Sequence, residues 1–254
     1  MKYKSFILSA VASTALVLTA CSEMSSLASV SGIGRVTQAA LSQQDITAGL
    51  KEALNIGVDL GIKQLAAKNG YYNDLAVKIG LPSEASVILS NISKIPGGTQ
   101  LVENVIMSIN AAATDAVKDT APIFINAIKE MSFQDATAIL KGNRTAATAY
   151  FKGKTKTALK NVFRSRIESS IQKKLIGEVS AQSSWNTLVS KWNTLAKNPV
   201  GAVAGLKPVN TDLTDFLTEK AVDGLYVKVG EQETKIRTQA AARTTELLRK
   251  VFGR

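Results

Sequence analysis

Apolar residues recur at three- and four-residue steps from Ser42 to Phe252, and no stretch alternates apolar and polar side chains at every second residue. A helical period gathers apolar side chains on one face, whereas a half-buried strand needs a period of two. Aromatic residues are sparse at 6% and alanine is abundant, which suits packed helices better than sheets. The expectation is an all-α chain: a single helical domain, built as a bundle or an irregular helical array.

The helix boundaries are marked. Ser42 with Asp45, and Ser132 with Asp135, fit capping-box starts with aspartate in place of the usual glutamate. The first start predicts a long helix carrying Ile46, Leu50, Ala53, Leu54, Leu60 and Leu65, stopped at Asn69-Gly70. Short helices are expected around 73–79 and 83–94, broken by Gly80, Pro82 and Pro96-Gly97-Gly98. Helices follow over 99–119, from Pro122 to about Met131, from Ser132 to Gly142, and briefly from Thr145 to Tyr150-Phe151. Residues 155–176 predict a basic amphipathic helix with Leu159, Val162, Phe163, Ile167, Ile171 and Leu175 on its apolar face. Trp185, Leu188, Trp192 and Leu195 mark another helix, its tryptophans read as core. Residues 197–209 read as a loop, and helices over 211–238 and 241–252 complete the chain.

Gly49, Ala53, Gly57 and Gly61 fall at four-residue steps in the first long helix. Each helical glycine costs about 1 kcal/mol against alanine, so such a row needs a reason. A smooth ridge admits a second helix, the favoured reading, or a ligand. Lys51, Glu52, Asp59 and Lys63 argue against a membrane setting for it.

The net charge of +11 is unevenly spread. Residues 141–174 hold Lys141, Arg144, Lys152, Lys154, Lys156, Lys160, Arg164, Arg166, Lys173 and Lys174, against the single acid Glu168. This segment accounts for the whole excess once Lys2 and Lys4 are set aside. Three readings stay open: a solvated face over a buried stripe, an anionic surface or polymer as partner, or a partner within the chain. The candidate contacts to an anionic surface are Lys152, Lys154, Lys156, Lys160, Arg164, Arg166, Lys173 and Lys174. Nucleic acid is disfavoured, given few aromatic side chains for stacking. Asp212, Asp215, Glu219 and Asp223 share one helix face and offer an internal partner. The same row could be a solvated face, or hold Ca²⁺ or Mg²⁺, although ligands from one helix converge poorly. Arg243 could pair with a buried carboxylate such as Asp223.

Lys2 and Lys4 precede an uncharged, mostly apolar run from Ser5 to Leu18, the pattern of a secretory signal. Leu18-Thr19-Ala20-Cys21 resembles the bacterial lipobox, which implies lipidation of Cys21 and cleavage before it. Ser22, in place of aspartate after that cysteine, favours the outer membrane. The expected organisation is a lipoprotein signal peptide over 1–20, the lipidated cysteine and a flexible tether over 21–41, and the helical domain over 42–254. A flexible tether of about 20 residues spans roughly 25 Å. After Cys21 no apolar run is long enough to cross a bilayer.

The chain has no histidine and one cysteine. Ser-His-Asp and Cys-His nucleophilic catalysis are therefore excluded, as are zinc sites on His or Cys and haem on His. No metal or other cofactor is expected. Any enzymatic chemistry would rest on carboxylates, Lys, Tyr or Ser, or on an all-oxygen metal site.

From about Leu41 to Gly253 the chain resembles an uncharacterised bacterial family of exported helical proteins, a domain of unknown function. The stretches that carry the resemblance are LSQQDITAGLKEAL (41–54), PIFINAIKEMSFQDATAILKGNRTAATAYF (122–151), AVDGLYVKVGEQETKIR (221–237) and ARTTELLRKVFG (242–253). The resemblance implies one helical domain and supplies no activity or catalytic residue. The function expected from the residues is that of a membrane-anchored envelope lipoprotein, non-enzymatic, binding a lipid or apolar ligand or a partner protein. The alternatives are a carboxylate-dependent hydrolase acting on an envelope component, and a purely structural member of an envelope complex.

Overall fold

A computed structural model of the chain describes residues 42–253. The signal peptide, Cys21 and the tether lie outside these residues. Among the described residues ten α-helices occur in order: α1 Gln43–Ala66, α2 Ser86–Ser90, α3 Gly98–Ala116, α4 Ala121–Glu130, α5 Phe133–Lys141, α6 Ala146–Ser170, α7 Ala181–Lys197, α8 Pro199–Val203, α9 Leu213–Thr238 and α10 Glu246–Phe252. No strand ladder forms among the described residues; the isolated bridge between Ile176 and Val179 merely closes a turn. The architecture is an irregular helical array around α9, which has α6 and α1 as its most extensive neighbours.

The capping boxes form as the spacing predicts. The Ser42 hydroxyl accepts the Asp45 N–H at 3.0 Å, and the Ser132 hydroxyl accepts the Asp135 N–H at 3.1 Å. In each box the aspartate accepts the serine N–H in return. These bonds satisfy donors that a helix start otherwise leaves open.

Packing follows rows of four-residue steps. On α6 the buried row is Ala147, Phe151, Thr155, Leu159, Phe163 and Ile167, and on α9 it is Leu217, Ala221, Leu225, Val229 and Glu233. Phe124 stands edge-on to Phe151 and Tyr226, at centroid distances of 5.3 and 6.2 Å. Trp185 and Trp192 are core residues, as expected.

The glycine row of α1 serves helix packing. A Cβ at Gly61 would meet the backbone of Val229 at 3.4 Å, and one at Gly57 would meet Gln232 at 3.5 Å. A Cβ at Gly49 would lie 2.5 Å from a Val251 methyl of α10. A further close approach lies on α9, where a Cβ at Gly224 would fall 2.8 Å from the buried Tyr71 ring.

Three boundaries differ from expectation. Residues 145–151 and 155–176 do not form two helices: α6 runs through Gly153 and stops at Ser170. Burial of Phe151 and Thr155 on either side outweighs the propensity cost of one exposed glycine. Residues 73–79 are a turn held by Asp74, whose carbonyl accepts the N–H groups of Val77 and Lys78 at 3.0 and 2.8 Å. Finally, the predicted loop at 197–209 contains α8.

Candidate functional site

Helices α6 and α9 run antiparallel, and their paired positions define the candidate site. The Thr155 hydroxyl bonds the Tyr226 hydroxyl at 2.8 Å midway along the pair. Toward the C-terminal half of α6, Lys160 pairs with Glu219 and Arg164 with Asp215. The internal partner read from the carboxylate row is therefore present, and Lys160 holds the Glu219 carboxyl below its usual range. Asp212 is used differently: its Oδ1 accepts the N–H groups of Thr214 and Asp215, capping α9. Among the described residues no group of His, Cys, Asp and Glu side chains converges as a metal site.

The remaining basic residues divide sharply. Arg166 reaches Asp119 at 3.0 Å, Lys174 reaches Glu178 at 3.3 Å, and Lys173 reaches Asp115 at 2.6 Å. Asp115 also accepts from Lys118 and from the Ser170 hydroxyl. Burial pushes the Asp115 carboxyl upward, but Lys173, Lys118 and Ser170 together hold it well below the usual carboxylate range. Lys152, Lys154 and Lys156 make no ion pair among the described residues and are exposed. Lys152 lies over the Tyr226 ring and Lys154 over the Tyr150 ring, at 5.5 and 5.8 Å. Of the eight candidate contacts, five have carboxylate partners and these three do not.

A second charged group has no counterpart in the sequence reading. Glu233 is buried where the start of α6 meets α9, and α6 has no side-chain cap of its own. The two Glu233 oxygens accept the N–H groups of Ala147 and Thr148 at 2.9 Å, and one also accepts the Thr148 hydroxyl at 2.9 Å. Arg237, one turn on, donates to Glu233 at 3.0 Å and to the Ile139 carbonyl at 2.8 Å. A carboxylate thus faces the positive end of α6, and a guanidinium faces the negative end of α5. The i,i+4 spacing of Glu233 and Arg237 was the available signal. Nothing local to it pointed to helix ends some ninety residues away.

Lys228, 2% exposed, is a further buried charge, held by Asp74 at 2.5 Å and Glu231 at 2.8 Å. Burial works against its charge, yet Asp74 and Glu231 more than offset this and raise its pKa. Arg243 does not pair with Asp223. Its guanidinium donates to the carbonyls of Ile236 and Arg237 at 3.0 and 2.9 Å, because the chain turns back over the end of α9.

Leu50, Leu54, Gly57, Val229, Ile236 and Phe252 line an apolar cavity of about 20 Å³ beside this cluster. That space suits a single water rather than an acyl chain. No helix among the described residues is long and apolar enough to cross a membrane.

Residues 40–253 match a family described as "Protein of unknown function (DUF4197)". No curated protein and no solved structure matches the chain.

Proposed function

Taking as premise that the chain belongs to the DUF4197 family, we propose that it is a non-enzymatic lipoprotein of the bacterial cell envelope, anchored through Cys21. In this reading it sits on the outer membrane facing the periplasm. Its helical body presents a cationic face to an anionic surface, a lipid headgroup layer or an acidic partner. The observation that carries the reading is the division of charge on α6. Lys152, Lys154 and Lys156 keep exposed ammonium groups without carboxylate partners among the described residues, while the rest of the helix is neutralised.

Two features favour a surface role over the alternatives. A lipid carrier needs an enclosed apolar chamber; the cavity beside α1 and α9 is about 20 Å³, and the larger groove of about 620 Å³ between α6 and α9 is open to solvent. A hydrolase needs a carboxyl group with a raised pKa as general acid. The groove lined by Glu84, Asp212, Asp215 and Glu219 offers the opposite chemistry. Asp212 is spent as a cap, Asp215 is paired, and Lys160 favours the ionised form of Glu219.

The anchor is tested by growth on labelled fatty acid. Wild-type chain should incorporate the label and Cys21→Ala should not, leaving a longer precursor. An unlabelled wild-type chain would refute the anchor. The cationic face is tested with vesicles in an unacylated chain that begins at residue 21 and carries Cys21→Ala. Lys152→Glu, Lys154→Glu and Lys156→Glu together should weaken binding to anionic vesicles by on the order of a hundredfold, at about 1 kcal/mol per cation. Equal binding to neutral vesicles would sink the electrostatic part.

A further inference from the structure

Between Glu178 and Asp212 the chain carries Lys191, Lys197 and Lys207 and no carboxylate. Among the described residues this stretch also holds the most outward-facing valines. Val200 is 78% exposed and Val203 is 90% exposed, both on α8.

The exposure is built in. The Asn198 side chain accepts the Gly201 N–H at 2.6 Å and starts the turn, with Pro199 at its first position. Gly201 is buried against the end of α7, where a Cβ would lie 2.1 Å from the Leu195 carbonyl oxygen. No other residue fits there, so the inward face of α8 is fixed and Val200 and Val203 face out. The returning chain is fixed as well. The buried Trp192 donates its Nε1–H to the Lys207 carbonyl at 2.9 Å. Asn193 exchanges two hydrogen bonds with Val209, at 2.9 and 3.0 Å. The result is a rigid knuckle with an apolar tip, flanked in sequence by the exposed Lys197 and Lys207.

We propose that this knuckle docks on an anionic lipid bilayer, with Val200 and Val203 seated at the boundary between headgroups and acyl chains and Lys197 and Lys207 on anionic headgroups. The choice of occupant rests on the envelope-membrane reading above. Charge complementarity supports it, since nothing acidic in the stretch would repel an anionic surface. Size supports it too. Two valines with Ala202 and Ala204 fall well short of the roughly 800 Å² per partner of a stable protein interface. A second, weak membrane signal beside a lipid anchor needs only a small apolar contact and a few cations.

The test uses the chain from residue 21 onward with Cys21→Ser, which then has no cysteine. Val203→Cys in this background accepts one environment-sensitive nitrobenzoxadiazole label, and Ser169→Cys on α6 serves as control. On vesicles of phosphatidylethanolamine with phosphatidylglycerol, the label at 203 should shift to the blue and be quenched by doxyl-labelled lipid, and the label at 169 should not. Val200→Asp, or Lys197→Glu with Lys207→Glu, should abolish the shift. The proposal is overturned if the label at 203 stays water-like on these vesicles, or if it shifts equally on neutral phosphatidylcholine. It is also overturned if the label dries without vesicles as protein concentration rises, since a second copy would then be the occupant. Fatty-acid incorporation at Cys21 is read separately on the wild-type chain, so loss of the anchor and loss of docking are independent results.

Discussion

Lys160 and Arg164 meet Glu219 and Asp215 across an exposed seam between α6 and α9, whereas Glu233 and Arg237 meet at the other end of the same helix pair, largely shielded from solvent. Both sets are ion pairs, and they do different physical work. The seam pairs are solvated before and after folding, so their net contribution is small and sensitive to salt. The buried pair terminates two helices that do not fully terminate themselves. Its removal strands donors at the start of α6 and acceptors at the end of α5. What distinguishes them is which unsatisfied groups each pair holds away from water.

The comparison breaks first at Glu233. Glu233→Ala should destabilise the protein by about 3–5 kcal/mol in urea unfolding, because it leaves a buried guanidinium and an uncapped helix start. A loss below about 1 kcal/mol would place this pair in the same class as the seam. Glu233→Met with Arg237→Met sharpens the point. Full recovery would mean that only the stranded charge mattered, while partial recovery is expected because the helix ends stay uncapped.

Lys228 is intermediate, since its head is buried while Asp74 and Glu231 keep access to water. Lys228→Met should therefore cost less, about 1–3 kcal/mol. Its raised pKa fixes the sign of the pH dependence. The contribution is complete below the unfolded lysine value of about 10.4 and is lost as pH rises through the higher folded value. Unfolding free energy should fall at alkaline pH in the wild type, and less so in Lys228→Met.

The fold class was legible because it rests on local rules. The apolar steps, the boxes at Ser42 and Ser132 and the Gly142 stop each act within a few residues. The exposed cations were legible for the same reason, as a run of basic residues is visible without a partner. Glu233, Arg237 and Lys228 were hidden because their meaning depends on Ala147, Ile139 and Asp74, which only tertiary packing brings near. The join at Gly153 was misread in the same way, since propensity is local and the burial that overrides it is not. Of the candidate site, the run of cations was visible in the sequence, and the division into paired and unpaired was not.

Asp115 tests whether an exposed cluster can approach buried behaviour, because it gathers Lys118, Lys173 and Ser170 around one half-buried carboxylate. Its folded pKa lies below the unfolded value of about 3.9, so its contribution is complete above that value and lost as pH falls through the folded one. Asp115→Asn should cost about 1–2 kcal/mol at neutral pH and flatten the acid limb of stability below about pH 4. An unchanged acid limb would assign acid sensitivity to other carboxylates.

The smallest effect belongs to the seam itself. Lys160→Ala, Glu219→Ala and the double variant close a cycle whose coupling should fall between about 0.2 and 1 kcal/mol. The coupling should shrink as salt is raised toward 1 M, where the Debye length drops to about 3 Å. Reversing the pair, with Lys160→Glu and Glu219→Lys together, should restore the coupling, because two exposed charges need only opposite sign and reach. The same reversal at Glu233 and Arg237 should fail, because there a carboxylate must face an N-terminus and a guanidinium a C-terminus. A coupling of several kcal/mol at the seam, or a tolerated reversal at the buried pair, would show that proximity of charge outweighs the helix ends it serves.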